Sequence, residues 1–264
     1  MEINQLVNTA IRAALLAGEK IMEVYTSGDF GIVEKQDYTP LTIADRKAHD
    51  LIAQLLTPTH LPLLSEEGIL LPYSDRSLWK TFWLVDPLDG TKEFISCNGE
   101  FTVNIALISE NQSIAGVVYC PVSKEMYVGI VGKGAWKMIN PGDDCTVEQL
   151  LAEGTRLPVN SDRQNYRVAV SRTHLDQQTL KFIESLKKEH PSLDIIRKGS
   201  SIKFCLIAEG AVDIYPRFAP TMEWDTAAGH AIVKAMGKNI VMTDRETEIT
   251  YNKENLTNPY FIVL

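Results

Sequence analysis

Residues 101–139 read FTVNIALISENQSIAGVVYCPVSKEMYVGIVGKGAWKMI, and no other stretch limits the fold so strongly. Phe101–Pro121 is two apolar runs joined by the polar turn Glu110–Ser113. Lys124–Ile139 is a second pair, turning at Gly132-Lys133-Gly134. Such short turns leave no room for a crossover, so consecutive strands must run antiparallel. Two more apolar strands precede them, in HLPLLSEEG (60–68) and TFWLV (81–85). Two helices come first. In the first, Ile3, Leu6, Val7, Ala10, Ile11, Ala14, Leu15, Gly18, Ile21, Met22 and Tyr25 fall at three- and four-residue steps. The second follows Thr42, with Ala44, Ala48, Leu51, Ile52 and Leu55 on one face and Pro58 just past its end. Residues 1–160 are therefore expected to form helices on a mainly antiparallel sheet.

The chain turns polar and loop-like over INPGDDCTVEQLLAEGTRLPVNSD (139–162), which places a boundary near residue 160. Residues 161–264 then alternate: strand YRVAVS, helix DQQTLKFIESLKKEH, strand LDIIRK, helix SSIKFCLIAEG, strand VDIYPRF, helix WDTAAGHAIVKAMG with Gly237 as its stop, and strand NIVMT. That is an α/β pattern. The whole is expected to be α+β to α/β, with 264 residues enough for a sizeable core.

The net charge of −8 argues against a nucleic-acid polymer as partner, because a phosphate backbone needs a basic stripe. Four scattered cysteines with no C-x-x-C pair read as reduced thiols, and with no basic leader at the N-terminus a cytoplasmic protein is expected. No stretch approaches ~18 apolar residues, so no transmembrane helix is expected. Oligomeric state has no signature in the sequence.

Acids gather at the ends of these elements: Glu66 and Glu67 after LPLL, Asp86 and Asp89 after FWLV, Asp225 at the head of a helix, and Asp45 beside Thr42. Any one of them, alone, is most often a cap or turn residue. DPLDGT is different. Pro87 fixes the chain after Asp86, Gly90 permits a tight turn or a close ligand approach, and Thr91 can begin a helix whose N–H groups face an anion. The two aspartates can point into one space, with the Leu88 carbonyl as a third oxygen. Hard oxygen donors of this kind suit Mg²⁺, which completes its shell with water and substrate phosphate. A D-x-D-G-T phosphatase register would put its nucleophilic aspartate at Pro87, which cannot attack phosphorus. Water activated by metal is the better nucleophile.

KQDYTPLTIAD, LLSEEG, WLVDPLDGTKEF and MEWDTAAGHAIV together resemble the inositol monophosphatase superfamily of Mg²⁺-dependent, lithium-sensitive phosphatases. The resemblance covers nearly the whole chain. D-P-L-D-G-T and W-D-x-A-A-G are its most specific parts. GEFTVNIALI and KGSSIKFCLIAEGAVDIYPRFAPTMEWDTAAGHA look most like the CysQ-type 3'(2'),5'-bisphosphate nucleotidases within it. The resemblance implies a layered αβαβα sandwich. It gives one Mg²⁺ to Glu66, Asp86 and the Leu88 carbonyl, and a second to Asp86, Asp89 and Asp225; a third, weaker ion would lean on Glu66. Thr91 and Asp45 would orient and activate the water, supported by Thr42 and Glu67, while Gly90 and Thr91 hold the scissile phosphate.

A second phosphate needs positive charge away from the metals. His174, Ser200, Lys203 and Arg217 are the candidates, and the resemblance places such residues around a nucleotide. Ser200 opens a helix and Lys203 lies one turn on; as an N-cap and a solvated face they would need no ligand. The expected substrate is a small anionic nucleotide. The expected reaction removes the 3'-phosphate of adenosine 3',5'-bisphosphate to give AMP, with 3'-phosphoadenylyl sulfate a further substrate, clearing a by-product of sulfate activation. The alternatives are an inositol monophosphatase and a non-catalytic module that binds metal and phosphate for regulation.

Overall fold

The structure is a computed structural model and describes residues 1–34, 40–159, 165–173 and 176–264. Helix α1, Ile3–Ser27, buries Leu6, Val7, Ala10, Ile11 and Ile21 and ends at Gly28, whose φ is 74°. A small ribbon of β1, Val33–Glu34, and β2, Pro40–Leu41, leads into α2, Ile43–Leu56. Strand β3, Leu63–Ser65, a single helical turn α3, Tyr73–Arg76, strand β4, Thr81–Asp89, and the short helix α4, Thr91–Ile95, follow. Next come β5, Thr102–Ser109, β6, Gln112–Cys120, β7, Glu125–Ile130, and β8, Gly134–Ile139. The β5–β6 turn is tighter than expected: Glu110 and Asn111 alone make it, with φ of 47° and 62°, the backbone of a two-residue hairpin.

The polar stretch after β8 is not all loop. It contains α5, Val147–Glu153, and β9, Thr155–Arg156. Gln149 N–H donates to Thr146 Oγ1 at 3.3 Å and Thr146 N–H to Gln149 Oε1 at 3.1 Å, a capping box that overrides the polar composition. Beyond it run β10, Tyr166–Ser171, α6, Gln177–Glu189, β11, Leu193–Lys198, α7, Ile202–Glu209, β12, Tyr215–Arg217, α8, Glu223–Ala235, β13, Ile240–Met242, and β14, Phe261–Val263. Strand β14 was not foreseen. It lies between β12 and β13 and pairs antiparallel with both. Strands β10 and β11, joined through α6, run parallel.

One sheet of seven strands, in the order β3-β4-β5-β6-β7-β8-β9, organises the molecule; only its β3–β4 pair is parallel. Both faces are covered, which is why its strands are continuous apolar runs and not alternating ones. Trp83, Val85, Val103, Ile105 and Val117 face α1 and α2. Phe82, Leu84, Ala106, Ile108 and Val118 face α7 and α8. The β12-β14-β13 sheet and the β10–β11 pair lie beyond α7 and α8, and α6 closes a third core on β10 through Ile183 and Leu186. The layers are α, β, α, β, α.

His230 in α8 has no exposed surface. Asn239 Oδ1, 2.7 Å away, accepts from Nε2–H, and the Tyr251 hydroxyl, 2.9 Å away, donates to Nδ1. Burial pushes its pKa down to about 4. The folded protein therefore keeps the neutral ring while the unfolded chain protonates below its ordinary pKa of 6.5. Stability from this residue is complete above that pH and falls as pH drops toward 4. Between pH 7 and 4.5 the expected loss is roughly 2–3 kcal/mol. Urea melts of wild type and His230→Gln check it: the difference between the two should shrink as pH falls.

Candidate active site

Strand β4 does not stop at Asp86. It pairs with β5 at Asp86↔Asn104 and again at Asp89↔Thr102, with a register shift between. Two residues of β4, Pro87 and Leu88, thus oppose the single Val103, which is a β-bulge. In a regular strand, residues three apart face opposite sides. The bulge adds one residue, so Asp86 and Asp89 face the same side as Phe82 and Leu84, toward α8. Leu88 N–H donates to Asp86 Oδ1 at 3.1 Å and fixes the carboxylate. Gly90 follows with φ 94°, and Thr91 starts α4.

Three carboxylates meet at this point. The parallel β3–β4 pair brings the chain after Ser65 beside Val85, and Glu66 N–H donates to the Val85 carbonyl at 3.1 Å. Asp225 stands in the first turn of α8, where its Oδ2 accepts from Met222 N–H at 2.9 Å. Oxygens of Glu66, Asp86 and Asp225 lie within 4.8 Å of one another. Burial, then the charges of Glu66, Asp89, Asp225 and Asp45, hold the Asp86 carboxyl well above the usual range; burial, Asp89 and Glu66 do the same to Asp225. Such repulsion is what a divalent cation relieves, and an all-oxygen donor set is what a hard cation takes. The cluster fits a metal ion of this kind. Asp89 sits beside the trio, its Oδ2 accepting from Ser201 Oγ at 2.7 Å and Asn104 Nδ2 at 3.3 Å.

Asp45 is tied in from α2. Thr42 donates both N–H, at 2.7 Å, and Oγ1–H, at 2.6 Å, to Asp45 Oδ2. The other oxygen, Oδ1, lies 3.3 Å from Thr91 Oγ1, whose proton can instead reach the Leu88 carbonyl at 3.4 Å. A hydroxyl at the cavity is thus connected to a buried carboxylate. Glu67, half-buried in the turn after β3, does not line the cavity.

That cavity, about 280 Å³, is lined by Glu66, Asp86, Asp89 and Asp225, by Gly90 and Thr91, and by Ser200, Lys203 and Arg217. Ser200 does not open the helix: Ser201 is the N-cap of α7, and Ser200 precedes it with φ 43°. The Ser200 hydroxyl and Arg217 Nε are buried without a partner among the described residues. Lys203 is not on a solvated face. It is 4% exposed, and burial pushes its ammonium pKa down to about 8, against the pull of Asp89. It donates to the carbonyls of Lys198 and Ser200 and lies over the Tyr215 ring. His174 lies outside the described residues. Asn104 and Ser201, which grip Asp89, were not singled out in the sequence. No local signal marks them, because their roles depend on contacts across the fold.

A family model described as the inositol monophosphatase family matches residues 2–259. The curated 3'(2'),5'-bisphosphate nucleotidase CysQ of Salmonella typhimurium is 44% identical over 94% of this chain and 94% of its own length. CysQ of Escherichia coli is 42% identical over 98% of this chain and 99% of that protein. The crystal structure of CysQ from Bacteroides thetaiotaomicron, described as a bacterial member of the same family, superposes with TM-score 0.91 at 48% identity, covering 99% and 97% of the two chains. Likeness of this extent, over a chain whose acids converge from β3, β4 and α8, leaves one conclusion: the protein belongs to the inositol monophosphatase family.

Proposed function

We propose that the protein is a 3'(2'),5'-bisphosphate nucleotidase that removes the 3'-phosphate of adenosine 3',5'-bisphosphate, giving AMP and phosphate. The observation that carries this reading is a single cavity lined both by the carboxylates Glu66, Asp86, Asp89 and Asp225 and by the cations Lys203 and Arg217. A phosphomonoester with a second phosphate matches such a lining. The relatives named as bisphosphate nucleotidases, alike over nearly their full length, support it.

Mg²⁺ is the cation proposed, in two or three places. Glu66, Asp86 and the Leu88 carbonyl would hold one ion, and Asp86, Asp89 and Asp225 another. Bound there, Mg²⁺ lowers the pKa of water and neutralises the phosphate oxygens. Thr91 orients the attacking water through its hydroxyl, and Asp45 takes the proton through it. Thr42 aims the Asp45 carboxylate by its two hydrogen bonds. The new bond to phosphorus forms as the bond to the ribose 3'-oxygen breaks, and that oxygen takes a proton from solvent. Gly90 is held by the fold itself: its φ is 94°, and a Cβ there would stand 3.1 Å from the Glu100 carbonyl oxygen and 3.2 Å from Ser200 Cβ. Lys203, Arg217 and Ser200 receive the other phosphate. His174 is proposed beside them from its sequence position.

The test is Arg217→Ala and Lys203→Met. A charge-assisted hydrogen bond contributes about 1.5–3 kcal/mol, so each variant should lose roughly 10- to 100-fold in kcat/KM for adenosine 3',5'-bisphosphate. Unchanged turnover in both would remove the second-phosphate assignment. Li⁺ should inhibit the wild type. Among the described residues, no helix is long and apolar enough to cross a membrane.

A further inference from the structure

We propose that Glu100 is a positioning residue: it gathers Arg172, Lys198 and Gly199 into a clamp that holds the 198–201 loop in the shape that receives the second phosphate. The inference rests on the substrate reading above. Glu100 sits just before β5 and is buried. Its carboxylate accepts from Arg172 Nε at 2.8 Å, Arg172 Nη2 at 2.7 Å, Lys198 Nζ at 3.0 Å and Gly199 N–H at 2.8 Å. One side chain thus joins three segments that meet at the cavity: the chain after β10, the chain after β11, and the backbone beside Gly90.

The loop so held is strained and pinned. Ser200 is a non-glycine residue at φ 43°, a conformation that persists only where its surroundings enforce it. Lys203 also grips it, through the Lys198 and Ser200 carbonyls. Gly199 admits no side chain: a Cβ would stand 2.6 Å from Glu93 Cγ and 2.9 Å from the Glu100 carbonyl. Between these holds, the Ser200 hydroxyl has no partner among the described residues, and Ser200 lines the cavity. The surrounding donors hold the Glu100 carboxyl down at about 2 despite its burial, so the clamp is charged throughout the working pH range.

The clamp acts on binding and not on the chemical step. Glu100 does not line the cavity. Ser201, at the end of the loop, has a second tie that does not pass through Glu100: Asn104 Nδ2 donates to its Oγ at 2.9 Å, beside its own bond to Asp89.

The experiment uses the Mg²⁺-loaded enzyme, wild type and Glu100→Gln, with two readouts. Hydrogen exchange at the Gly199 amide should accelerate at least about tenfold in the variant, because its acceptor loses charge. KM for adenosine 3',5'-bisphosphate should rise about tenfold with kcat within about twofold, while KM for adenosine 3'-monophosphate stays within about twofold. Equal KM rises for both substrates, a fall confined to kcat, or unchanged exchange would each overturn the proposal. If Glu100→Gln does not fold, Arg172→Met removes two of the four bonds from a more exposed position and must show the same pattern at smaller size. A wild type indifferent to the second phosphate would contradict the substrate reading instead; the clamp would then stand or fall on the Gly199 exchange.

Discussion

The Asp86→Asn protein is expected to lose phosphate release by at least about a thousandfold, and yet to melt at a higher temperature than wild type when divalent cations are removed. The two effects share one cause. Asp86 is 1% exposed and faces Glu66 and Asp225 within 4.8 Å. Burial and four neighbouring acids raise its carboxyl. A carboxyl raised in the folded state costs stability at neutral pH and returns it as pH falls, because the folded protein then binds the extra proton. Asparagine removes the charge and keeps an oxygen for Leu88 N–H, so the metal-free fold is relieved. The same change takes away the residue proposed to be shared by two ions, and with it several kcal/mol of charge stabilisation in the transition state. Calorimetry in chelator and in saturating Mg²⁺, beside an activity assay, checks both halves. Wild type should gain melting temperature with Mg²⁺ and Asp86→Asn should gain less. Turnover retained within about tenfold would contradict the role given to Asp86.

Gly129→Val is expected to destabilise the protein by about 3 kcal/mol or more and to weaken activity in what remains folded. Helix α8 lies directly on the seven-stranded sheet. A Cβ at Gly129 would stand 2.4 Å from Ile232 Cα, and one at Gly116 would stand 2.3 Å from the Ala228 carbonyl oxygen. These are backbone atoms of a helix and cannot rotate away, so the whole element must shift. Asp225 is carried at the head of α8, and a shift draws it from Glu66 and Asp86. Urea melts measure the first effect. Mg²⁺ dependence of turnover, taken well below the melting range, measures the second. A loss under about 1 kcal/mol with unchanged Mg²⁺ dependence would show that α8 can move without consequence.

The strands and helices that announce themselves locally were legible from sequence. The β5–β6 and β7–β8 hairpins follow from turn residues, α1 and α2 from apolar spacing, and the αβαβα layering from motifs that resemble a known family. What was not legible depends on partners far along the chain. The bulge that turns Asp86 and Asp89 to one face exists only against β5, so the run FWLV gave no hint that β4 continues to Asp89. Strand β14 is three residues of ordinary apolar sequence, made a strand by β12 and β13. Helix α5 carried a readable signal, the Thr146-Gln149 box, which its polar neighbours concealed. At the site, the acids stood out through the D-P-L-D-G-T spacing and the motifs around it, since any one acid at a strand end is ordinary. Ser201 and Asn104 did not, since the grip on Asp89 joins residues separated by 112 and 15 positions. From sequence, Lys203 reads as a phosphate ligand with a solvated helix face as its alternative, and its burial removes that alternative.

The most direct test of the proposed activity is kcat/KM of the wild-type protein, in one Mg²⁺ buffer, for adenosine 3',5'-bisphosphate and for inositol 1-phosphate. Lys203, Arg217 and Ser200 have work to do only with the first, so a preference for the nucleotide of roughly a hundredfold or more is expected. Equal rates, or a preference for the inositol ester, would contradict it.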